Sequence, residues 1–166
     1  MGKQVQPGEM NAVTDYSALI DGAGINVCKL LLDDELTILW ANDNFYISSG
    51  FGKDEYQTLF HHIKAYYTGH GDEFAKIKNA FYDVLQKGER RVKVGCRRPL
   101  KDNTCAWINI DGIITGEIVD SKPVALAVYS DISDLTRLKA ERDQLLEEKT
   151  RYFEWMMDGY LGNLYL

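Results

Sequence analysis

The chain has 166 residues and a formal net charge of −6, with ten Tyr, six Phe and three Trp but only three Pro. This length fits one domain of ordinary size with peripheral helices, and the aromatic content excludes a disordered chain. The negative charge argues against nucleic acid or an anionic membrane surface as the main partner.

The N-terminal segment predicts neither secretion nor membrane attachment. Met1-Gly2-Lys3-Gln4 leads into polar residues rather than an apolar core of a signal peptide, and Gly2 lacks the following Ser or Thr of a myristoylation site. No apolar run approaches the roughly 20 residues that a membrane-spanning helix requires. We therefore expect a cytoplasmic protein.

The first third of the chain predicts a flanking helix and a β-hairpin. Residues 1–24 are interpreted as a leader followed by a short helix, Met10 to Ile20, which ends at the glycines at 22 and 24. Two strands follow, Ile25 to Leu32 and Leu36 to Ala41, with a turn at residues 33–35 between them.

The middle of the chain has helical periodicity, and strands return after it. The predicted helices are Asn42 to Phe51, Asp54 to Phe60 and Phe74 to Leu85. The predicted strands are Arg90 to Arg98, Thr104 to Glu117 and a last one centred on 124–129, and a long helix follows from Asp134. This order predicts an α+β domain: a five-stranded antiparallel sheet, a helical insert between strands 2 and 3, an N-terminal flanking helix and a C-terminal helix.

Both faces of the predicted sheet carry apolar residues. In the last strand, Val124, Leu126 and Val128 alternate with Ala125, Ala127 and Tyr129. A sheet with one wet face is polar at alternate positions, so we expect a cover on the second face. The N-terminal helix or a second protomer is the natural candidate.

Three motifs follow one another along the chain. They are Leu36 to Phe45 (an apolar strand ending in Asn42, with an aromatic three residues later) followed by Gly50-Phe51, the hairpin Arg97 to Ile108, and Asp131-Ile132-Ser133. The segment 25–133 resembles a PAS domain, with 134–158 as its C-terminal signalling helix. Residues 159–166 are interpreted as the truncated start of a following domain.

The resemblance implies a site between the helices and the sheet. Asn42 is expected to hold the corner between strand and helix, and Asp131 or Ser133 to cap the terminal helix. The candidate pocket residues are Phe45, Phe60, Ile63, Ile77, Phe81, Val94, Ile108 and Val128.

The sequence disfavours several cofactors that PAS-like pockets carry. No Cys lies between Cys28 and Cys96, which excludes a covalent flavin adduct of the light-sensing type, and the helix from Glu73 to Lys87 has no His to ligate haem. A non-covalently bound flavin or another small ligand remains open, because its recognition leaves no short motif here.

No metal or redox site is predicted. The adjacent His61 and His62 point to different sides, a poor arrangement for one metal ion. The three scattered cysteines, which include Cys105, are interpreted as buried apolar side chains. The basic residues Arg90, Arg91, Lys93, Arg97, Arg98 and Lys101 are interpreted as a solvated strand face, with an anionic ligand as the alternative.

The terminal helix carries a weak heptad pattern. Leu138, Leu145 and Tyr152 recur every seven residues, whereas the companion positions, Leu135, Arg142 and Lys149, are poor. We expect a homodimer through this helix, the N-terminal helix and the outer sheet face, with no nucleic-acid or membrane partner.

The sequence favours a non-enzymatic sensory and dimerisation module of a larger bacterial signalling protein. It would pass a signal through its C-terminal helix to an effector in the same chain, of the diguanylate cyclase, phosphodiesterase or histidine kinase type. Two alternatives are a ligand-free protein-interaction domain and, least favoured, a small α+β enzyme using Asp111 or Glu117 with a histidine.

Overall fold

The computed structural model describes residues 18–164, and only the backbone of residues 161, 163 and 164. The strands are β1 (Asn26–Leu31), β2 (Thr37–Ala41), β3 (Arg91–Pro99), β4 (Cys105–Val119) and β5 (Lys122–Asp131). The helices are α1 (Asp43–Ile47), α2 (Lys53–Leu59), α3 (Ile63–Tyr66), α4 (Gly71–Gln86) and α5 (Ser133–Leu164). Residues 18–22 are also helical, and the rest of the predicted helix from Met10 to Ile20 lies outside the described residues.

The five strands form one antiparallel sheet in the order β2-β1-β5-β4-β3. The hairpins β1–β2, β3–β4 and β4–β5 join strands that are neighbours in sequence. Strand β5 also pairs with β1 along its length, which joins the first hairpin to the other three strands. The predicted α+β class and the position of the helical insert between strands 2 and 3 are confirmed. The short helix α3 was not predicted.

The turn between β1 and β2 is built around Asp33. Its carboxylate accepts hydrogen bonds from the backbone N–H of Glu35 at 3.2 Å and of Thr37 at 3.0 Å, and from the Thr37 hydroxyl at 2.6 Å. Leu36 takes a left-handed conformation with φ of 54°. An Asp that bonds the backbone ahead of it is a common turn device, and here it sets the register of the hairpin.

The core lies between the inner sheet face and the helices of the insert. On α4, Ile77 and Phe81 are fully buried against the sheet, at positions four residues apart on one helix face. On the sheet, Ile108 and Ile110 of β4 face the same interior, as expected of residues two positions apart on a strand.

The last strand corrects one of the sequence expectations. Ala125, Ala127 and Tyr129 are the residues of β5 that belong to the core cluster, whereas Leu126 is 37% exposed. Val128 shares the parity of Leu126 and lies on the outer face, so its prediction as a pocket residue is wrong. The reason is that a central strand with apolar residues at both parities gives the alternation rule nothing to select between.

The chain divides into two compact units, Met1–Asp131 and Ile132–Leu166. The second unit is the single helix α5, which begins one residue after β5 ends and has 32 residues. The predicted stop near Gly159 is wrong, because α5 runs through Gly159 and Gly162 to Leu164.

Helix α5 carries many exposed apolar side chains. The largest of them are Leu135, Leu138, Leu145, Leu146, Tyr152, Phe153, Trp155, Met156, Met157 and Tyr160. Across residues 18–164, no helix combines the length and the apolar character that crossing a bilayer requires.

Candidate ligand-binding site

A buried arginine lies between the helical insert and the sheet. Arg98 is 3% exposed, because its position on β3 has the same parity as the inward-facing Val92 and Cys96. This corrects the interpretation of Arg98 as part of a solvated basic face. The other members of that cluster, Arg90, Arg91, Lys93, Arg97 and Lys101, are exposed.

The hydrogen bonds of Arg98 go to neutral acceptors at the end of α1. Its Nη1 donates to the Ser48 hydroxyl oxygen at 2.7 Å, and its Nη2 donates to the Phe45 carbonyl oxygen at 3.0 Å. Among the described residues, no carboxylate lies within ion-pair distance of this guanidinium. Arg98 is therefore, within the described residues, a buried cation without a counter-ion. This is unusual, because buried charges in proteins are usually paired.

Aromatic rings surround the guanidinium. Its central carbon lies 4.8 Å from the ring centroid of Phe45, 5.4 Å from that of Tyr66 and 5.5 Å from that of Tyr129. A cation over ring faces gains about 0.5–2 kcal/mol per contact, the larger value where water is excluded. These rings stabilise the charge but do not neutralise it.

The same rings belong to an aromatic cluster in the interior. We call this set the aromatic cluster; it consists of Phe45, Tyr46, Phe51, Tyr56, Phe60, Tyr66, Tyr67 and Tyr129. At its centre Tyr56 stacks on Tyr66, with ring centroids 5.2 Å apart and an interplanar angle of 25°. Most other pairs meet edge to face, the geometry favoured by ring quadrupoles.

Two hydroxyl groups of the cluster have no hydrogen-bond partner within the described residues. They belong to Tyr56, which is 1% exposed, and Tyr129, which is 3% exposed. An unsatisfied buried hydroxyl costs about 1–3 kcal/mol. A site with two such groups beside an unpaired cation is one that a polar ligand would satisfy.

The protonation of these tyrosines follows from their burial. Burial raises the pKa of Tyr56 and of Tyr129 well above the ordinary value of 10.0, although the nearby Arg98 charge acts to lower both. Both phenols therefore stay protonated near neutral pH and offer O–H donors to the interior. The Arg98 guanidinium remains charged throughout the accessible pH range.

The remaining polar groups of the interior are accounted for. The Tyr66 hydroxyl donates to the Pro99 carbonyl oxygen, and the Tyr67 hydroxyl lies 4.0 Å from the sulfur of Cys96. Burial raises the pKa of the Cys28 thiol to about 12, although the Arg98 charge and the neighbouring Tyr129 side chain act to lower it, and burial raises the pKa of the Cys96 thiol to about 11. These two cysteines are buried neutral thiols, as expected, whereas Cys105 is exposed, contrary to the expectation for it.

An open groove of about 470 Å³ lies along β2, on the side where α2 packs. Its walls include Tyr46, Tyr56 and Phe60 of the aromatic cluster, and Lys53 and His61 line it as well. Tyr56 thus contacts both this groove and the ring of Tyr66, which lies against Arg98.

The predicted pocket residues are placed as follows. Five of them are buried in the core, namely Phe45, Ile63, Ile77, Phe81 and Ile108. Phe60 and Val94 are half-buried and pack against that core. Val128 is the exception, on the outer face of the sheet.

Asn42 lies at the corner between β2 and α1. Its side-chain oxygen accepts from the backbone N–H of Val27 at 2.9 Å and of Phe45 at 3.2 Å, and its amide nitrogen donates to the Ile25 carbonyl oxygen at 2.7 Å. It therefore caps α1 and ties it to β1. Asp131 is the last residue of β5, and Ser133 is the first of α5.

A histidine and an acidic residue that were considered for metal binding or catalysis make other contacts. His62 caps α3 by accepting the Ala65 backbone N–H at 3.1 Å, and its Nε2 lies 3.5 Å from a Glu35 carboxylate oxygen. Glu117 pairs with Lys29 at 2.7 Å. In the part of the chain that the structure describes, no three His, Cys, Asp or Glu side chains cluster as a metal site would require.

Sequence reasoning missed Arg98, Tyr56 and Tyr129. Arg98 was grouped with its charged neighbours, although counting by two along β3 from Val92 places it on the inner face. Nothing in the sequence marks Tyr56, because an aromatic in a short helix fits a plain core equally well.

The chain was compared with known proteins. No family model matches it, and no curated protein matches it. Solved structures do: a sensory box histidine kinase/response regulator from Burkholderia thailandensis E264 superposes with a TM-score of 0.62 at 17% identity, covering 82% of this chain and 98% of that one. A PAS domain from Colwellia psychrerythraea gives 0.56 at 13% identity, covering 74% and 98%.

A third structure is that of an RNA-binding light-oxygen-voltage receptor. It has a TM-score of 0.64 at 12% identity and covers 92% of this chain, but the chain spans only 41% of the receptor. At these identities the likeness concerns the fold. The chain has the fold of PAS domains.

Proposed function

We propose that this PAS-fold chain is a sensory module that binds a small molecule between its helical insert and its sheet. The single observation that supports it best is the set of unsatisfied polar groups in the interior: the Arg98 cation and the hydroxyls of Tyr56 and Tyr129. In a filled structural core the two hydroxyls would only lower stability, and the Arg98 charge would have no counter-ion. A bound ligand gives each of them a partner.

Mass spectrometry under native and denaturing conditions tests ligand binding. We expect the gently ionised protein to be heavier than the denatured chain by the mass of one bound molecule. Equal masses, in protein purified without dialysis against denaturant, would contradict the ligand-binding part of the proposal. An absorbance spectrum through the near-ultraviolet and blue region identifies a non-covalent flavin or a haem as that molecule.

In the proposed function the signal leaves through α5. Only Ile132 separates the end of β5 from the start of α5, and β5 is the strand that carries Tyr129 into the interior. A ligand that bonds Tyr129 therefore acts on the strand that continues into the helix. Helix α5 is proposed to connect to a downstream effector in the same protein, of the cyclic-dinucleotide or histidine kinase type. The module itself is proposed to carry no catalytic site.

The proposed module is a homodimer through α5. Leu138, Leu145 and Tyr152 are exposed and recur every seven residues, so they lie on one stripe of the helix. Light scattering of the wild-type chain and of a double variant, Leu138→Glu with Leu145→Glu, tests this. We expect the wild type to be a dimer and the variant a monomer.

A matched control carries the same charges on another face of the helix, in the double variant Ala140→Glu with Thr150→Glu. This control should remain a dimer. A wild-type chain that is monomeric at high concentration would contradict the dimer.

A second candidate function is a ligand-free interaction domain. The observation that favours it is the close ring-to-ring packing of the aromatic cluster. The mass measurement above separates the two functions, because only the sensory module carries a bound molecule.

A further inference from the structure

We propose that the molecule bound in this interior is a small organic anion, with its carboxylate held by Arg98 and by the hydroxyls of Tyr56 and Tyr129. The apolar part of the ligand would lie against the rings of the aromatic cluster. The inference rests on the proposed function, and it adds the charge class of the ligand.

The charge of the site selects an anion. Arg98 is buried, its two hydrogen-bond acceptors are neutral, and within the described residues it has no carboxylate partner. By contrast Glu73, the one acidic residue among those buried, is paired with Lys76 at 3.1 Å and lies 3.5 Å from Arg97. A cationic ligand would add to an unpaired positive charge, and a neutral ligand would leave it uncompensated.

The donors of the site match a carboxylate. The guanidinium has five N–H donors, two of which make the bonds to Ser48 and Phe45, and carboxylates accept from such a fork in a bidentate manner. The phenols of Tyr56 and Tyr129 supply two O–H donors without partners. An anion that accepts from the Arg98 guanidinium and from both tyrosine hydroxyls gives each of these groups a hydrogen-bond partner.

The three groups converge on the same part of the core. The Tyr129 ring lies 5.5 Å from the guanidinium carbon, and Tyr56 stacks on Tyr66, which lies 5.4 Å from it. Phe45 contacts both unpaired tyrosines, with ring centroids 5.2 Å from Tyr129 and 5.7 Å from Tyr56. The rings around the charge suit an apolar or aromatic body attached to the carboxylate.

The groove along β2 gives this ligand a surface from which to enter. Tyr56 lines the groove and also stacks within the aromatic cluster, so a ligand that reaches Arg98 from the groove has to displace this ring. Lys53 lies in the groove wall, although Asp43 accepts from it at 3.3 Å.

Calorimetric titration of the full chain with two carboxylates and their neutral amides tests the charge class. The probes are benzoate and hexanoate, with benzamide and hexanamide as uncharged counterparts, after removal of any copurified molecule. We expect at least one carboxylate to bind at least about tenfold more tightly than its amide, since a charge-assisted bond is worth more than a neutral one. Equal binding of acid and amide would overturn the anionic class and leave ligand sensing intact. No binding by any probe, with no copurified molecule, would overturn both.

The identity of a copurified molecule gives an independent result. Liquid chromatography with mass spectrometry of the compound released by denaturation should find a carboxylic acid or another organic anion. A neutral or cationic compound would overturn this inference while supporting the proposed function.

Single-atom variants assign the binding to these residues. Tyr129→Phe and Tyr56→Phe remove one hydroxyl each and keep the ring, and each should weaken binding of the carboxylate about tenfold without unfolding the protein. Tyr82→Phe is the matched control, because the Tyr82 hydroxyl donates to the Leu32 carbonyl oxygen on the other side of the core. Unchanged affinity in both interior variants would contradict the assigned site.

Discussion

The carboxylate of Glu73 accepts a hydrogen bond from the backbone N–H of Arg97 at 2.7 Å, which joins the first turn of α4 to the edge strand β3. Glu73 is 4% exposed, and its other oxygen accepts from Lys76 at 3.1 Å. Burial acts to raise the pKa of this carboxyl, but the bonds from Arg97 and Lys76 outweigh it and hold the pKa below the ordinary value of 4.5. The strand that carries Arg98 is thus anchored by a charge.

Stability should therefore fall at acid pH because of Glu73. A depressed pKa means that the unfolded chain binds a proton before the folded one, so the stabilisation is complete above about pH 5 and is lost as pH falls through the folded pKa. Urea unfolding at a series of pH values should show a shallower acid loss for Glu73→Gln than for wild type. Glu89→Gln, an exposed carboxylate after α4, is the control for removing one charge. Parallel curves for wild type and Glu73→Gln would argue against this account.

Replacing Arg98 should cost far more stability than replacing a neighbouring arginine. Arg98→Met removes one buried donor from the Ser48 hydroxyl oxygen and one from the Phe45 carbonyl oxygen, which still accepts from the Ser48 hydroxyl, and we expect a loss of about 2–4 kcal/mol in the free energy of unfolding. Arg91→Met, on the exposed face of the same strand, should change it by less than about 0.5 kcal/mol. Chemical denaturation measures both. Similar losses for the two variants would mean that Arg98 contributes no buried bonds.

The strands and turns could be predicted from the sequence more completely than the residues that line the interior. The hairpin from Ile25 to Ala41 was visible because its two apolar runs flank an acidic turn, which the structure builds on Asp33. Alternation also placed Ile108 correctly, since the polar Asn109 separates it from the next apolar residue. These are local patterns, and local patterns survive in the sequence.

The parts that could not be predicted depend on contacts between distant segments. Val128 and Tyr129 are both compatible with the core, and only the pairing of β5 between β1 and β4 decides which one enters it. Gly159 looked like a helix stop, but a glycine in an exposed helix costs only about 1 kcal/mol and α5 runs through it. The four-residue helix α3 is too short to leave a periodic signal.

Removing the Asn42 side chain should loosen the start of the helical insert. Asn42→Ala loses two accepted bonds and two donated bonds, and we expect the free energy of unfolding to fall by about 2–3 kcal/mol. Asn44→Ala is the matched control, because within the described residues its half-buried side chain makes one bond, to the Asp21 carbonyl oxygen at 2.9 Å. It should cost under about 1 kcal/mol. Thermal or urea unfolding compares the two, and a larger loss at Asn44 would contradict the capping role.

Two glycines of the β3–β4 hairpin, Gly95 and Gly112, should differ in their tolerance of alanine. A Cβ at Gly112 would lie 2.9 Å from a ring carbon of Phe81, whereas a Cβ at Gly95 would find its nearest neighbour, the Ile108 carbonyl oxygen, at 4.0 Å. We expect Gly112→Ala to destabilise by about 1–3 kcal/mol through overpacking. Gly95→Ala should be neutral or slightly stabilising. Equal melting temperatures for the two variants would show that Phe81 moves aside freely.

The contact between Glu73 and Arg97 also governs what another chain can do to this sheet. The open side of an outermost strand presents amide groups on which a foreign strand can add, and this is a common start of fibrils. At β3 the Arg97 amide is already taken by a carboxylate from the insert. Acid that protonates Glu73 therefore weakens the attachment of α4 to β3 and also frees the Arg97 amide for pairing with a foreign strand. As the pH falls, turbidity should therefore appear at a higher pH than the loss of folding stability alone would predict.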